Sequence, residues 1–325
     1  MHRRTLLKAA LAAPFARAAA SHAQAPEKRH RIGLLIPASA DEPSNVPGFL
    51  EGLRELGYEE GRNLVIERRY AGTSEDKLVE LARELVKANV ELIVAAGPSA
   101  TRAAREATSA VPIVMGTHDP VEQGLIASLA QPGGNMTGWC VLSVETVQKQ
   151  FSLLKEAMPK LARAAIVANP RMAGYAYVTS QLDAAGRAVG LQLTRVDISE
   201  PGMVAPAFAA MRKERVEAFF VLPEPQLDRM GKQIVTQAAE HRIPGMYTWR
   251  LYVLDGGLMS YGPSLPQMIR RWAFYVDKIL RGARPADLPV ETPRKYELVL
   301  NQRAAQALGF VFPSALLLSA DEVIS

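Results

Sequence analysis

The chain has 325 residues with 38 Lys and Arg against 33 Asp and Glu, a single cysteine and 48% hydrophobic residues. Four of the basic residues, Arg3, Arg4, Lys8 and Arg17, fall in the first 23 positions, which hold no acid, so the rest of the chain carries 34 basic and 33 acidic residues. That near balance removes the basic footprint a nucleic-acid partner requires, and one cysteine excludes an intrachain disulfide.

The first residues, Met1-His2-Arg3-Arg4-Thr5-Leu6-Leu7-Lys8, resemble a twin-arginine export leader. A weakly apolar Ala/Leu stretch follows, then Pro14 and small residues up to Ser21-His22-Ala23, with cleavage expected near Ala23. The stretch is far shorter than the ~20 apolar residues of a spanning helix, so no stable membrane insertion is expected. Residues 1–23 are therefore assigned as an export signal, and the mature protein is expected free in the periplasm. The alternative is a frayed N-terminal helix of a cytosolic protein.

Beyond the leader, residues 31–37 form a short apolar run closed by Pro37, the pattern of a buried strand. Val46, Phe49, Leu50, Leu53 and Leu56 repeat at helical spacing, with Gly57 placed to end that helix. Residues 64–70 read as a second strand, and Ser74 as the cap of a helix whose buried face holds Leu78, Leu81, Ala82, Leu85 and Val86. The nearly unbroken apolar run 90–96 fits a parallel strand covered on both faces. Gly97-Pro98-Ser99 then opens a helix and residues 112–115 make a fourth strand. The rhythm restarts with strands expected at 164–170, 191–198, 218–222 and 245–249, so two similar α/β lobes are predicted. A short strand at 256–262, an amphipathic helix over 265–280 and an extended segment at 296–300 suggest a chain that visits the first lobe and returns. The expected division is 26–141 plus 260–288 for lobe 1 and 142–259 plus 289–325 for lobe 2. Each lobe is a doubly wound parallel sheet, and a three-crossing hinge joins them.

In open parallel sheets ligands bind beyond the carboxyl ends of the strands. The candidates in lobe 1 are Ser39 after the first strand, Gly97, Ser99 and Ala100 at a helix N-terminus, and Thr117 with Asp119 after the fourth strand. Free N–H groups and the Ser99 hydroxyl at a helix start can hold a carboxylate; equally, Ser99 can cap its own helix. Asp119 can receive an ammonium or cap the following helix, and His118 reads most simply as a loop histidine. In lobe 2 the corresponding positions are Asn169, Glu224 between two prolines, and Tyr247. Glu224 is the best carboxylate for a cationic group, against the plainer reading of a solvated loop acid. Tyr175, Tyr177, Tyr247, Trp249 and Tyr261 can supply a stacking wall, although each also fits a core position.

Phosphate-loop, Gly-x-Gly-x-x-Gly and Gly-x-Ser-x-Gly patterns are absent, and Cys140 has no metal-ligand partner beside it. No cofactor, metal or catalytic group is expected, and the chain is read as a non-enzyme.

Several ordered strings resemble one family, the substrate-binding proteins of ABC transporters in the group that includes tryptophan and tyrosine importers. They are Gly48-Phe49-Leu50-Glu51-Gly52-Leu53-Arg54-Glu55-Leu56-Gly57-Tyr58, Asp119-Pro120-Val121, Pro132-Gly133-Gly134-Asn135-Met136-Thr137-Gly138, Lys278-Ile279-Leu280-Arg281-Gly282-Ala283 and Ala320-Asp321-Glu322-Val323-Ile324. The resemblance implies a type I periplasmic-binding fold, a small amino acid or organic acid, with a lean to aromatic ones, held in the cleft, and an inner-membrane ABC permease as partner. The first loop departs from aromatic amino-acid binders: Pro37-Ala38-Ser39-Ala40-Asp41-Glu42 has no aromatic residue and two acids. On this reading Ser99 and Thr117 take a carboxylate, Glu224 or Asp119 an ammonium. The alternatives are a ligand-sensing partner of a membrane receptor, or an enzyme on a related two-lobe fold.

Overall fold

The computed structural model describes residues 28–40, 46–72, 74–141 and 144–325. The leader, with its expected cleavage point, and Asp41 and Glu42 of the first loop lie outside the described residues.

The first apolar run becomes β1 (His30–Ile36), buried from Ile32 onward. It is followed by α1 (Val46–Glu55), which buries Phe49 and Leu53 and leaves Leu56, just beyond its end, exposed. Gly57, at φ +90°, ends the helix as the sequence predicts; the Tyr58 N–H turns back onto the Leu53 carbonyl. Next come β2 (Leu64–Tyr70), α2 (Leu78–Lys87), β3 (Leu92–Ala96), α3 (Gly97–Ala107), β4 (Ile113–Thr117) and β5 (Met136–Cys140). These strands pair in the order β2-β1-β3-β4-β5, all parallel. The expected cap at Ser74 does not form on α2: a 3-10 turn, Glu75–Lys77, intervenes, and the helix starts at Leu78 without a side-chain cap. The fifth strand was hidden in a glycine-rich string that a turn explains equally well.

The chain then enters a second sheet through α4 (Val144–Ala157), β6 (Arg163–Ala168), α5 (Tyr175–Ala188), β7 (Gln192–Asp197), α6 (Val204–Lys213), β8 (Ala218–Val221), α7 (Pro225–Arg229), α8 (Gly231–His241), β9 (Gly245–Tyr247), α9 (Arg250–Leu254) and β10 (Met259–Gly262). It leaves for α10 (Leu265–Leu280) and returns as β11 (Glu297–Asn301), α11 (Gln302–Leu308), α12 (Ser314–Ser319) and β12 (Glu322–Ile324). The second sheet runs β12-β11-β10-β9-β8-β6-β7, parallel except where β11 meets β10 antiparallel. Two mostly parallel α/β sheets with helices between their strands are the two-lobe architecture expected.

Two boundaries are corrected. Residues 260–262, placed in lobe 1 on sequence, belong to the second sheet, because β10 is hydrogen-bonded between β9 and β11. Only from α10 does the chain pack on the first lobe, against α1, β4 and β5. There Trp272 donates its indole N–H to the Met115 carbonyl at 3.2 Å. Val290 and Glu291, placed in lobe 2 on sequence, also stay with lobe 1: the Val290 N–H donates to the Leu129 carbonyl at 2.7 Å, and Glu291 bridges to β5 through the Cys140 N–H and the Gly138 carbonyl, both at 2.9 Å, before the chain crosses back.

Candidate ligand site between the lobes

Parallel strands aim their carboxyl ends the same way, so the loops after β1, β3, β4 and β5 face those after β8 and β9 across a cleft. The lobes touch there. Gln226 on α7, almost fully buried, donates to the Pro37 carbonyl at 3.1 Å and to that of Gly72 at 3.3 Å. Arg229 donates to Gly72 at 3.2 Å. Tyr177 on α5 donates to the Asp119 carboxylate at 2.9 Å, and the Ala173 N–H to the Ser99 hydroxyl at 3.3 Å. His118 lies beside the Pro223 carbonyl. Gly97, at φ +87°, lets the start of α3 approach α7: a β-carbon there would lie 2.8 Å from Pro225 Cγ. Side chains and backbone of both lobes thus interlock, the closed arrangement of a hinged cleft.

Between them lies a cavity of about 240 Å³. Its lobe 1 wall is apolar: Leu34, Ile36 and Ala38 at the end of β1, Val46 and Phe49 on α1, Leu265, Ile269 and Trp272 on α10, and Trp139 and Val141 at β5. Trp139 stacks on Trp272 with ring centroids 5.3 Å apart, and Phe49 meets Trp272 edge-on at 6.4 Å. Gly116 makes room for both indoles, since a β-carbon there would sit 2.7 Å from Trp139 Cζ2 and 2.8 Å from Trp272 Cζ2. The lobe 2 wall carries the charged groups, Glu224, Asp228, Arg229 and Asp255, beside Trp249, Leu251, Tyr252 and the prolines that flank Glu224.

Of the ten residues expected at the site, the cavity gathers three: Gly97, Thr117 and Glu224. Thr117 is buried and its hydroxyl has no hydrogen-bond partner among the described residues. Glu224 is not the solvated loop acid of the plainer reading. It is 1% exposed and its Oε2 accepts the Leu227 N–H at 3.2 Å, capping α7. The other seven do not line the cavity. Ser39 sits beside Gly72. Ser99 is turned to the opposite lobe as an acceptor, and Ala100, wholly buried, belongs to the lobe 1 core because it follows the helix start by a turn. Asp119, at φ +38°, is engaged by Tyr177 rather than held for a ligand ammonium. Asn169 accepts the Arg171 N–H at 3.0 Å and orders its own loop. Tyr247 is a core residue, fully buried and stacked on Tyr252 at 4.6 Å. Tyr261 stacks on Tyr296 at 5.4 Å. Of the five aromatics expected to supply a stacking wall only Trp249 lines the cavity, together with Phe49, Trp139, Tyr252 and Trp272; Tyr175, Tyr177, Tyr247 and Tyr261 do not.

Two titratable groups of the cavity are shifted by burial. Asp228 accepts from Trp249 Nε1 and the Tyr252 hydroxyl, each at 3.0 Å. Desolvation nevertheless pushes its carboxyl up to about 7, against the opposing pull of those two bonds. His118, 4% exposed, is pulled down to about 4 by the same cause and is neutral at pH 7. Cys140 is buried beside Asp119, which together push its thiol up to about 12, so it is no nucleophile at neutral pH. Among the described residues no group of three or more His, Cys, Asp or Glu side chains could hold a metal ion, and no helix is long and apolar enough to cross a membrane.

Two mostly parallel lobes closed over a mainly apolar cavity define a cleft-binding protein of the two-lobe kind. The comparisons give the family: residues 36–324 match the model for ABC transporter substrate binding proteins, and the chain belongs to that family. A tyrosine-binding protein of Clostridioides difficile (strain R20291) is 26% identical over 263 residues, 80% of this chain and 75% of that protein. A conserved domain protein from Vibrio cholerae superposes with a TM-score of 0.84 at 28% identity, covering 91% of this chain and 100% of that one. An ABC domain in complex with L-Trp from Streptococcus pneumonia gives 0.82 at 24% identity, again over 91% of this chain and 100% of the other.

Proposed function

We propose that this protein is the periplasmic receptor of an ABC importer and holds an amino acid or related organic acid with an apolar, ring-sized body in the cleft between its lobes. The observation that carries this reading is the cavity itself: mainly apolar and aromatic, with its charged groups on the lobe 2 side, and enclosed by contacts between the two lobes. Burial of a ring of ~150–250 Å² at ~25 cal/mol/Å² contributes about 4–6 kcal/mol. Micromolar affinity needs about 8 net, so charge-assisted hydrogen bonds of ~1.5–3 kcal/mol each must supply the rest. The relatives named for tyrosine and crystallised with L-Trp support an aromatic amino acid as the first candidate. The twin-arginine-like leader supports export, and delivery to an inner-membrane permease follows from the family.

The test is thermal unfolding with L-tryptophan, L-tyrosine, L-phenylalanine and their deaminated acids. A ligand at a hundred times its dissociation constant stabilises by about 2.7 kcal/mol. A melting point that none of them raises would rule out this ligand class. Deleting the gene should abolish uptake of whichever compound binds; intact uptake would argue against the importer role.

A further inference from the structure

Asp228 on α7 is half-buried and lines the cavity. Both of its side-chain hydrogen bonds come from neutral donors, Trp249 Nε1 to Oδ2 and the Tyr252 hydroxyl to Oδ1, each at 3.0 Å. The charged groups around it do not supply a cation. On its own helix, Glu224 is a second carboxyl group and Arg229 directs Nη1 to the Gly72 carbonyl and to Gln226 Oε1. On α9, Asp255 adds a third carboxyl group at the helix end, and the Tyr252 hydroxyl, like that of Tyr247 on β9, is held neutral by burial. α8 lines the cavity with Gly231 alone among the described residues. Lobe 1 contributes one titratable side chain to the lining, His118, which is neutral at pH 7.

α7 is also the helix that meets lobe 1, through Gln226, Arg229 and Pro225. Closure therefore moves Asp228 from water to a wall that carries no charge at pH 7. An ionised carboxylate loses hydration in that move and gains no counter-ion; the neutral acid loses far less. We propose that closure of the cleft is proton-linked through Asp228, the lobes closing, and holding a ligand, more readily when its carboxyl is neutral. That closure encloses a ligand rests on the proposed function; the linkage itself rests on the two-lobe fold and on Asp228. The direction follows from the two forms. Facing water in the open form the group has the ordinary 3.8, and in the closed form it is raised to about 7, so pH rising through 7 favours opening. His118 acts in the opposite sense, because the closed form holds it neutral, but its link is nearly complete above pH 6.5.

The comparison is with Asp228→Asn, which cannot ionise and keeps both bonds, since the amide accepts from Trp249 and donates to the Tyr252 oxygen. Calorimetric affinities for L-tryptophan and indole-3-propionate are measured from pH 6 to 8. Over that range the native affinity should fall about tenfold relative to the variant, and at pH 7 native binding should take up about half a proton more, counted from heats in two buffers of different ionisation enthalpy. At pH 8 the variant should bind more tightly than the native protein, the opposite of what loss of a merely structural carboxylate gives. A native-to-variant ratio that is level or rises with pH, or equal proton counts, would overturn the link through Asp228 and leave the ligand class standing. A protein that binds neither compound would overturn the ligand class. The link is then read by small-angle scattering without ligand: the native radius of gyration should grow relative to that of Asp228→Asn between pH 6 and 8, and parallel values would overturn it.

Discussion

His118 and Asp228 are both buried in the cavity walls, and burial moves them in opposite directions with opposite consequences for pH. The folded His118 has a depressed pKa of about 4 against an ordinary 6.5, so the stability it contributes is complete above pH 6.5 and is lost as pH falls toward 4. The folded Asp228 has a raised pKa of about 7 against 3.8, so its contribution is complete below pH 3.8 and is lost as pH rises through 7. At 1.36 kcal/mol per unit the two are similar in size, on the order of 3–4 kcal/mol each, and between pH 4 and 6.5 they oppose. Their joint contribution should leave the melting temperature nearly level across that window. Asp228→Asn should expose the histidine, giving a melting temperature that rises with pH from 4 to 6.5. The amide can still accept from Trp249 and can donate to the Tyr252 oxygen, so the fold tolerates it. His118→Asn should expose the aspartate and give the reverse slope up to pH 7. Parallel pH curves for the two variants would mean the assignments of cause are wrong. Thr117 belongs to the same scale: Thr117→Val keeps its volume and removes the hydroxyl. It should leave stability within about 1 kcal/mol and weaken ligand binding by roughly five- to tenfold, as expected for one hydrogen bond.

At the scale of elements, α3 and α7 meet end to end through Gly97 and Pro225. An alanine at 97 adds a β-carbon 2.8 Å from the proline ring and must hold φ near +87°, which costs an L-residue roughly 1–2 kcal/mol. Only the backbone strain is present in both open and closed forms; the clash acts in the closed one. Gly97→Ala should therefore weaken ligand binding by about tenfold or more while lowering the melting temperature only modestly, and calorimetry beside thermal unfolding separates the two. Much of this was visible in the chain order of residues. Glycine-proline at the end of an apolar run marks a strand-to-helix turn whatever surrounds it, and the β1, β3 and β4 ends were located from such punctuation. β5 was not, because its five residues, Met136–Cys140, follow a glycine-rich turn and contain Thr137 and Gly138 among the apolar ones. With it went Trp139, which stacks against a helix 130 residues further on. No local periodicity links those two indoles; only the return of α10 to the first lobe does.

For the whole molecule, ligand binding and closure are one equilibrium, because a ligand shifts it only by its differential affinity for the two forms. The Tyr177–Asp119 bond spans the lobes at a distance from the cavity wall, so Tyr177→Phe should favour the open form by about 0.5–1.5 kcal/mol. Small-angle scattering should report a larger radius of gyration for this variant without ligand, and saturating ligand should restore the native value. Unchanged scattering and affinity together would show that the bond does not hold the lobes.

The sequence by itself determined the two α/β lobes, the strand ends that face the cleft and the return of the C-terminal region, because apolar periodicity and Gly/Pro punctuation are local properties that burial then enforces. It placed Gly97, Thr117 and Glu224 at the cleft for the same reason, since each lies at or just beyond the carboxyl end of a strand. The tertiary structure alone decided which of the candidates turn inward. Ser99, Asp119 and Asn169 occupy equivalent strand-end positions, yet each spends its polar atoms on a backbone or side-chain partner that only lobe closure or loop geometry supplies. His118, read from the sequence most simply as a loop histidine, is instead buried in the cavity lining, a placement that only the tertiary structure decides.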